Sequence, residues 1–154
     1  MVATKQYSFV RDSRKVLFEY CQAISPGDLT RENASYGRGG SIRNLLVHIA
    51  NTYEFWIAKT ALEMDLDYTE YASCTTMPDV VALFENVDRF MQEFIGRIES
   101  PAQAIAYEID GKRSAVEPIK LFTHVITHEY HHKGQILSLS RHLGYIPVDT
   151  DIMR

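Results

Sequence analysis

Three histidines, His124, His128 and His132, recur at every fourth residue, and His131 and His142 fall in the same stretch. On a helix, residues four apart sit about 40° apart round the axis and about 6 Å apart along it. Two such imidazoles can share one metal ion. All three cannot, because His124 and His132 differ by about 12 Å in rise while a metal–nitrogen bond is about 2.1 Å. The chelating pair is therefore His124 with His128, or His128 with His132. Leu121, Val125, His128, His132, Ile136, Leu139 and Leu143 form one stripe with steps of three and four, which favours the second pair. Burying two neutral imidazoles is costly unless their nitrogens find partners. Nearby polar side chains could supply them, and a shared cation would supply one to each. A third ligand must come from elsewhere, and His48, in Leu45-Leu46-Val47-His48-Ile49-Ala50-Asn51, is the one histidine outside that stretch. Its place is the flank of an apolar stripe, so elimination, not spacing, selects it. Two histidines from one helix and one from another leave at least one coordination position open.

The run His128-Glu129-Tyr130-His131-His132 also satisfies H-E-x-x-H, the zinc-protease signature with glutamate as general base. The extended form needs glycine and histidine where Gln135 and Ser138 stand, and no glutamate follows Glu129. A protease is therefore not expected, and Glu129 reads as a flank residue or as an orienter of an imidazole. Gln135 stands about one turn past His132, where it can bond a substrate or simply meet local polarity. Neither cysteine reads as a nucleophile: Cys21 suits a buried core position and Cys74 a solvated connector.

The elements that must carry these residues follow from apolar spacing and punctuation. A first helix is expected from about Lys5 to Ile24, with Phe9, Val16, Leu17, Tyr20 and Ile24 inward. Ser41 caps a second, carrying Ile42, Leu45, Leu46, Ile49, Tyr53, Trp56 and Ile57. Pro78 sits in the first turn of a third, with Val80, Leu83, Phe84, Val87, Phe90, Met91, Phe94 and Ile98. Pro118 opens a fourth that runs to about Leu143, where Gly144 ends it. Ala104 to Arg113 alternates around Asp110-Gly111 and reads as a short β-hairpin before that last helix. Ser25-Pro26-Gly27-Asp28 and Gly37-Arg38-Gly39-Gly40 break the first third of the chain. The expected fold is all-α: a four-helix bundle in one domain spanning residues 1–154.

Composition excludes several classes. The 154 residues carry 16 Lys and Arg against 20 Asp and Glu, a formal charge of −4, which argues against a nucleic-acid footprint. No apolar run approaches the roughly 20 residues that span a bilayer, and Met1–Phe9 lacks the apolar core of a secretory signal. Two cysteines do not make a disulfide scaffold. A cytoplasmic location without membrane contact is expected.

Phe122-Thr-His-Val-Ile-Thr-His-Glu-Tyr-His-His-Lys-Gly-Gln-Ile-Leu, followed by Leu143-Gly144, resembles the closing signature of DinB/YfiT-like proteins. Ser41-Ile-Arg-Asn-Leu-Leu-Val-His-Ile-Ala-Asn, with Trp56 downstream, resembles that family's second helix. With the helix order, the resemblance spans nearly the whole chain. It implies an up-down-down-up bundle holding a divalent metal, nickel or zinc, on His48, His128 and His132, the trio that elimination reaches. It also implies frequent dimers and, in characterised relatives, metal-dependent transferases and isomerases that use low-molecular-weight thiols such as bacillithiol or mycothiol. Nothing in the chain identifies a thiol pocket or an electrophile.

The expected function is thus a divalent-metal-binding protein, read first as a thiol-dependent S-transferase acting on a small molecule. The alternatives are a metal-dependent hydrolase and a non-catalytic module in which the ion staples two helices together. Ile126, Tyr130 and Leu137, with Gly134 among them, form a second apolar face on the last helix. A homodimer across it is expected, with the hairpin or the tail as the intramolecular alternative. Trp56 reads as packing, and the tail with Asp149 and Asp151 as a solvated end.

Overall fold

The computed structural model describes residues 2–36, 40–98 and 103–154; Met1 and Gly37–Gly39, parts of the opening stretch and of the glycine-rich break, lie outside the described residues. Helix α1 (Val2–Gln22) is followed by the short α2 (Pro26–Thr30), whose N-cap Ser25 accepts the amide of Asp28. Helix α3 (Ile42–Tyr53) runs without a break into a π-helix (Glu54–Ala61). Helix α4 (Met77–Ile98), strands β1 (Ile105–Ile109) and β2 (Lys112–Val116), and helix α5 (Pro118–His142) complete the chain. Helix α3 packs on α4 and α5, and α1 lies against the same two. The result is the expected all-α bundle with one small antiparallel hairpin.

Local chemistry explains the boundaries that matter for the site. The hydroxyl of Ser41 accepts the amide of Asn44, which starts α3 and fixes the phase of His48. Just before it, Gly40 has φ +57° and its carbonyl accepts the Asn33 amide at 2.7 Å; a Cβ there would lie 2.1 Å from the Asn33 carbonyl oxygen. Only glycine fits that turn. In the hairpin, Asp110 (φ 50°) and Gly111 (φ 73°) form the turn and Ile105 pairs with Val116. Two positive φ values in sequence suit the right-handed twist of the strands. Pro118 opens α5, and Gly144 at φ 97° follows its end.

Helix α1 departs from its expected face. It begins at Val2, Phe9 is exposed and Val16 half-buried, while Tyr7, Val10, Ser13, Arg14, Leu17, Phe18 and Cys21 are buried. An apolar pattern counts Ser13 and Arg14 as outside and so rotates the stripe. Both are inside because partners on α5 take up their polar atoms. Cys21 is fully buried as expected, and burial pushes its thiol up to about 12. Cys74 corrects its reading as a solvated residue: it is 4% exposed and belongs to the core.

The tail also corrects its reading as a solvated end. The carboxylates of Asp149 and Asp151 are exposed, but Thr150 is buried and its carbonyl accepts the Ser13 hydroxyl. Pro147, Val148 and Asp149 share a surface hollow with Gly134 and Leu137 of α5. Ile126 joins the core, and Tyr130 and Leu137 pack against it half-buried. Part of the second apolar face of α5 is therefore covered from within the chain.

Candidate metal centre

His128 and His132 leave α5 one turn apart, and His48 faces them from α3. The Nε2 atoms of His128 and His132 are 3.1 Å apart, and one ligand atom from each of the three residues lies within 4.8 Å of the others. Ring centroids are 4.3 Å apart for His128–His132, 4.7 Å for His48–His132 and 5.1 Å for His48–His128. Nitrogens bound at about 2.1 Å and at angles of 90–109° are about 3.0–3.4 Å apart. The α5 pair already has that spacing, and the ligand atom of His48 lies within 4.8 Å of both. Of the three α5 histidines spaced by four, His124 is left out: it is exposed, tilted beside His128 and edge-on to Trp56.

The donor chemistry fits a cation. The Nδ1 of His132 is 2.7 Å from the Oε1 of Gln135. An amide oxygen only accepts, so the proton sits on Nδ1 and the Nε2 lone pair is directed at the cluster. Burial, followed by the neighbouring His132 and His48, lowers His128 from 6.5 to about 3, which keeps it in the neutral, ligating form. Its Nδ1 is buried without a hydrogen-bond partner. Two imidazole nitrogens 3.1 Å apart, faced by a third ring from α3, are an arrangement that one positive ion can bridge.

Glu129 does not orient an imidazole, contrary to one reading of its place. It is 1% exposed on the next stripe of α5, and both its oxygens are taken. Arg14 donates to it twice, from Nε at 3.0 Å and Nη2 at 2.9 Å; Tyr53 of α3 donates its hydroxyl at 2.6 Å, and Lys133 stands 3.4 Å away. Burial is the largest influence and alone would raise the carboxyl, but Arg14, Lys133 and Tyr53 together outweigh it and hold Glu129 below the usual carboxylate range. Burial and then Glu129 push Tyr53 well above 10, so it keeps its donor proton. Burial lowers Lys133 to about 8, partly offset by Glu129. A glutamate so engaged is no general base, and the H-E-x-x-H match carries no protease. Gln135, not Glu129, is bonded to one of the three imidazoles.

Arg14, Tyr53 and Lys133 were not read as site-related from sequence. The available signal was that Glu129 and Lys133 are spaced i, i+4, each directly after a ligand histidine. Trp56 does more than fill space. Carried by the π-helix, it meets His124 at 5.6 Å and Tyr107 of β1 at 5.3 Å between centroids. These three rings, with Val116, Lys120 and Leu121, line a cavity of ≈ 570 Å³ that none of His48, His128 and His132 lines; its nearest tie to them is His124, whose ring lies 6.0 Å from that of His128. Among the described residues no helix is long and apolar enough to cross a membrane.

Fold and site define a class: a helical bundle with three histidines from two helices placed to hold one metal ion. The model of the DinB family matches residues 1–154, the whole chain, and the protein belongs to that family. No curated protein matches it.

Proposed function

We propose that the protein is a metal-dependent enzyme that holds nickel or zinc on His48, His128 and His132 and acts on a small molecule, with transfer to or from a low-molecular-weight thiol as the preferred reaction. The observation that carries this reading is the convergence of three imidazoles from α3 and α5. When bound, an ion held by neutral ligands keeps its Lewis acidity and favours the thiolate form of a thiol. The chain's own contribution is to keep His128 unprotonated, to fix the His132 tautomer through Gln135, and to leave space for reactants. The cavity walled by Trp56, Tyr107 and His124 has the size of a small-molecule site, and its lining carries one charge of each sign, Lys120 and Glu117.

A purely structural staple is disfavoured by what already joins these helices. Tyr53 of α3 donates to Glu129 of α5, and the two share an apolar core without any ion. A hydrolase has the same ligand set and differs only in the nucleophile, so turnover assays distinguish it. The first test is elemental analysis of the purified protein, followed by thiols paired with electrophiles. His132→Ala should abolish metal uptake and turnover while lowering the melting temperature by only a few degrees. A large drop in melting temperature with turnover retained by the folded protein would favour the staple.

The protein is further proposed to be cytoplasmic and to dimerise through the face of α5 around Gly134, where no atom would meet an added Cβ within 4 Å. Sedimentation as a monomer at micromolar concentration would end the dimer proposal. An acidic net charge of −4 supports no nucleic-acid partner.

A further inference from the structure

We propose that the buried ionic cluster of Arg14, Glu129, Lys133 and Tyr53 is the positioning device that sets the rotation of α5 so that its two imidazoles meet His48. The proposal rests on the metal reading above. Arg14, Glu129 and Lys133 have side chains 4%, 1% and 2% exposed, in the middle of a core that apolar residues could fill. Buried ion pairs recover little net stability over well-packed apolar residues, so their retention calls for another reason. Geometry supplies one.

Glu129 follows His128 and Lys133 follows His132, so the ionic stripe lies about 100° round the helix from the ligand stripe and turns rigidly with it. Tyr53 lies on α3, the helix of His48, and its hydroxyl bonds Glu129 at 2.6 Å. The cluster thus ties together the same two helices that the three ligands must bridge. Arg14 adds α1 through its two-pronged contact, and its Nη1 is anchored on Asp88 of α4 at 2.6 Å. Lys133 adds a second tie to α1, donating to Ser13 at 2.8 Å.

The required tolerance is narrow. Rotating α5 by about 10° moves an imidazole nitrogen, about 6 Å from the axis, by about 1 Å. Coordination bonds accept about 0.2 Å. Apolar side chains repack over such a slip at modest cost, whereas a bidentate guanidinium–carboxylate pair is directional. Arg14, Glu129, Lys133 and Tyr53 are positioning residues and touch no ion themselves.

The test compares cobalt(II) binding and its visible spectrum in the full chain, wild type against Arg14→Met/Glu129→Leu/Lys133→Met. The triple variant removes two positive charges and one negative, so electrostatics alone would tighten cation binding. The expected result is the opposite: Kd for cobalt raised about tenfold or more, as for lost outer-shell partners. The spectrum at saturating cobalt should also change, while apo melting stays near wild type. A triple variant that binds with wild-type Kd and spectrum overturns the proposal. Should the triple variant not fold, Tyr53→Phe decides, since it deletes only the α3–α5 hydrogen bond. About a threefold rise in Kd with an altered spectrum is expected, and unchanged values overturn the proposal. Failure of the wild type to take up cobalt, nickel or zinc would instead sink the metal reading.

Discussion

Two neighbouring stripes of α5 carry buried polar groups, and they differ in how completely those groups are satisfied. Along Glu129 and Lys133 every charge has partners: Arg14 and Tyr53 saturate the carboxylate, and Ser13 and Glu129 take the ammonium. Along His128 and His132 the nitrogens crowd one another, and the Nδ1 of His128 has no hydrogen-bond partner. A closed network holds the fold in one arrangement. The incomplete one, only about 100° away on the same helix, holds imidazole nitrogens at the spacing that a cation would bridge. Removing one charge and leaving its partners buried in the first should therefore cost stability, whereas breaking the second should chiefly cost binding.

The largest effect is expected from Glu129→Ala. It strands Arg14 and Lys133 in the core without their carboxylate, and removing one partner of a buried pair costs about 3–5 kcal/mol. Urea unfolding should show that loss in the apo protein. A loss below about 1 kcal/mol would mean that the ionic stripe is wet or dispensable.

Next comes the ion itself. At a free nickel concentration about a hundred times Kd, the wild type should gain about 2.7 kcal/mol by mass action. His132→Ala should gain almost nothing, and its apo form should lose only about 1 kcal/mol with the Gln135 hydrogen bond. Equal metal-induced gains in both proteins would place the ion elsewhere. Gln135→Leu sharpens the comparison further, because it leaves all three ligands in place and frees the Nδ1 of His132. Metal affinity should fall about tenfold, equivalent to about 1.4 kcal/mol, with apo stability little changed.

The same contrast explains what could be read from sequence. Periodicity located α3, α4 and α5 because their buried faces are apolar, and His128 and His132 were legible because they interrupt one such face. His48 needed elimination, since a flank position has no distinctive spacing. The face of α1 was misread because Ser13 and Arg14 look like solvent residues until Glu129 and Lys133 are placed opposite them. Long-range charge pairing leaves no local pattern. The role of Gln135 stood among the alternatives, whereas that of Glu129 was decided by a partner 115 positions away in the chain. Cys74 and the docked tail were missed for a related reason: polar neighbours in sequence hid a buried position in space.

The broadest effect concerns pH. His128 titrates at about 3 in the fold against 6.5 as its ordinary value, chiefly through burial and then through its histidine neighbours. Above pH 6.5 both folded and unfolded chains carry a neutral imidazole there, and its contribution to stability is fully present. As pH falls below 6.5 the unfolded chain takes up a proton that the native site refuses, so stability declines progressively towards pH 3. Saturating metal steepens the decline, because protons then compete with the ion for the same nitrogens. The apo wild type should accordingly lose more stability between pH 6.5 and 4 than His128→Gln, which has nothing to titrate at that position. Parallel curves for the two proteins would show that the ring is as well solvated as an exposed histidine, and the incomplete stripe would then be no more buried than the surface around it.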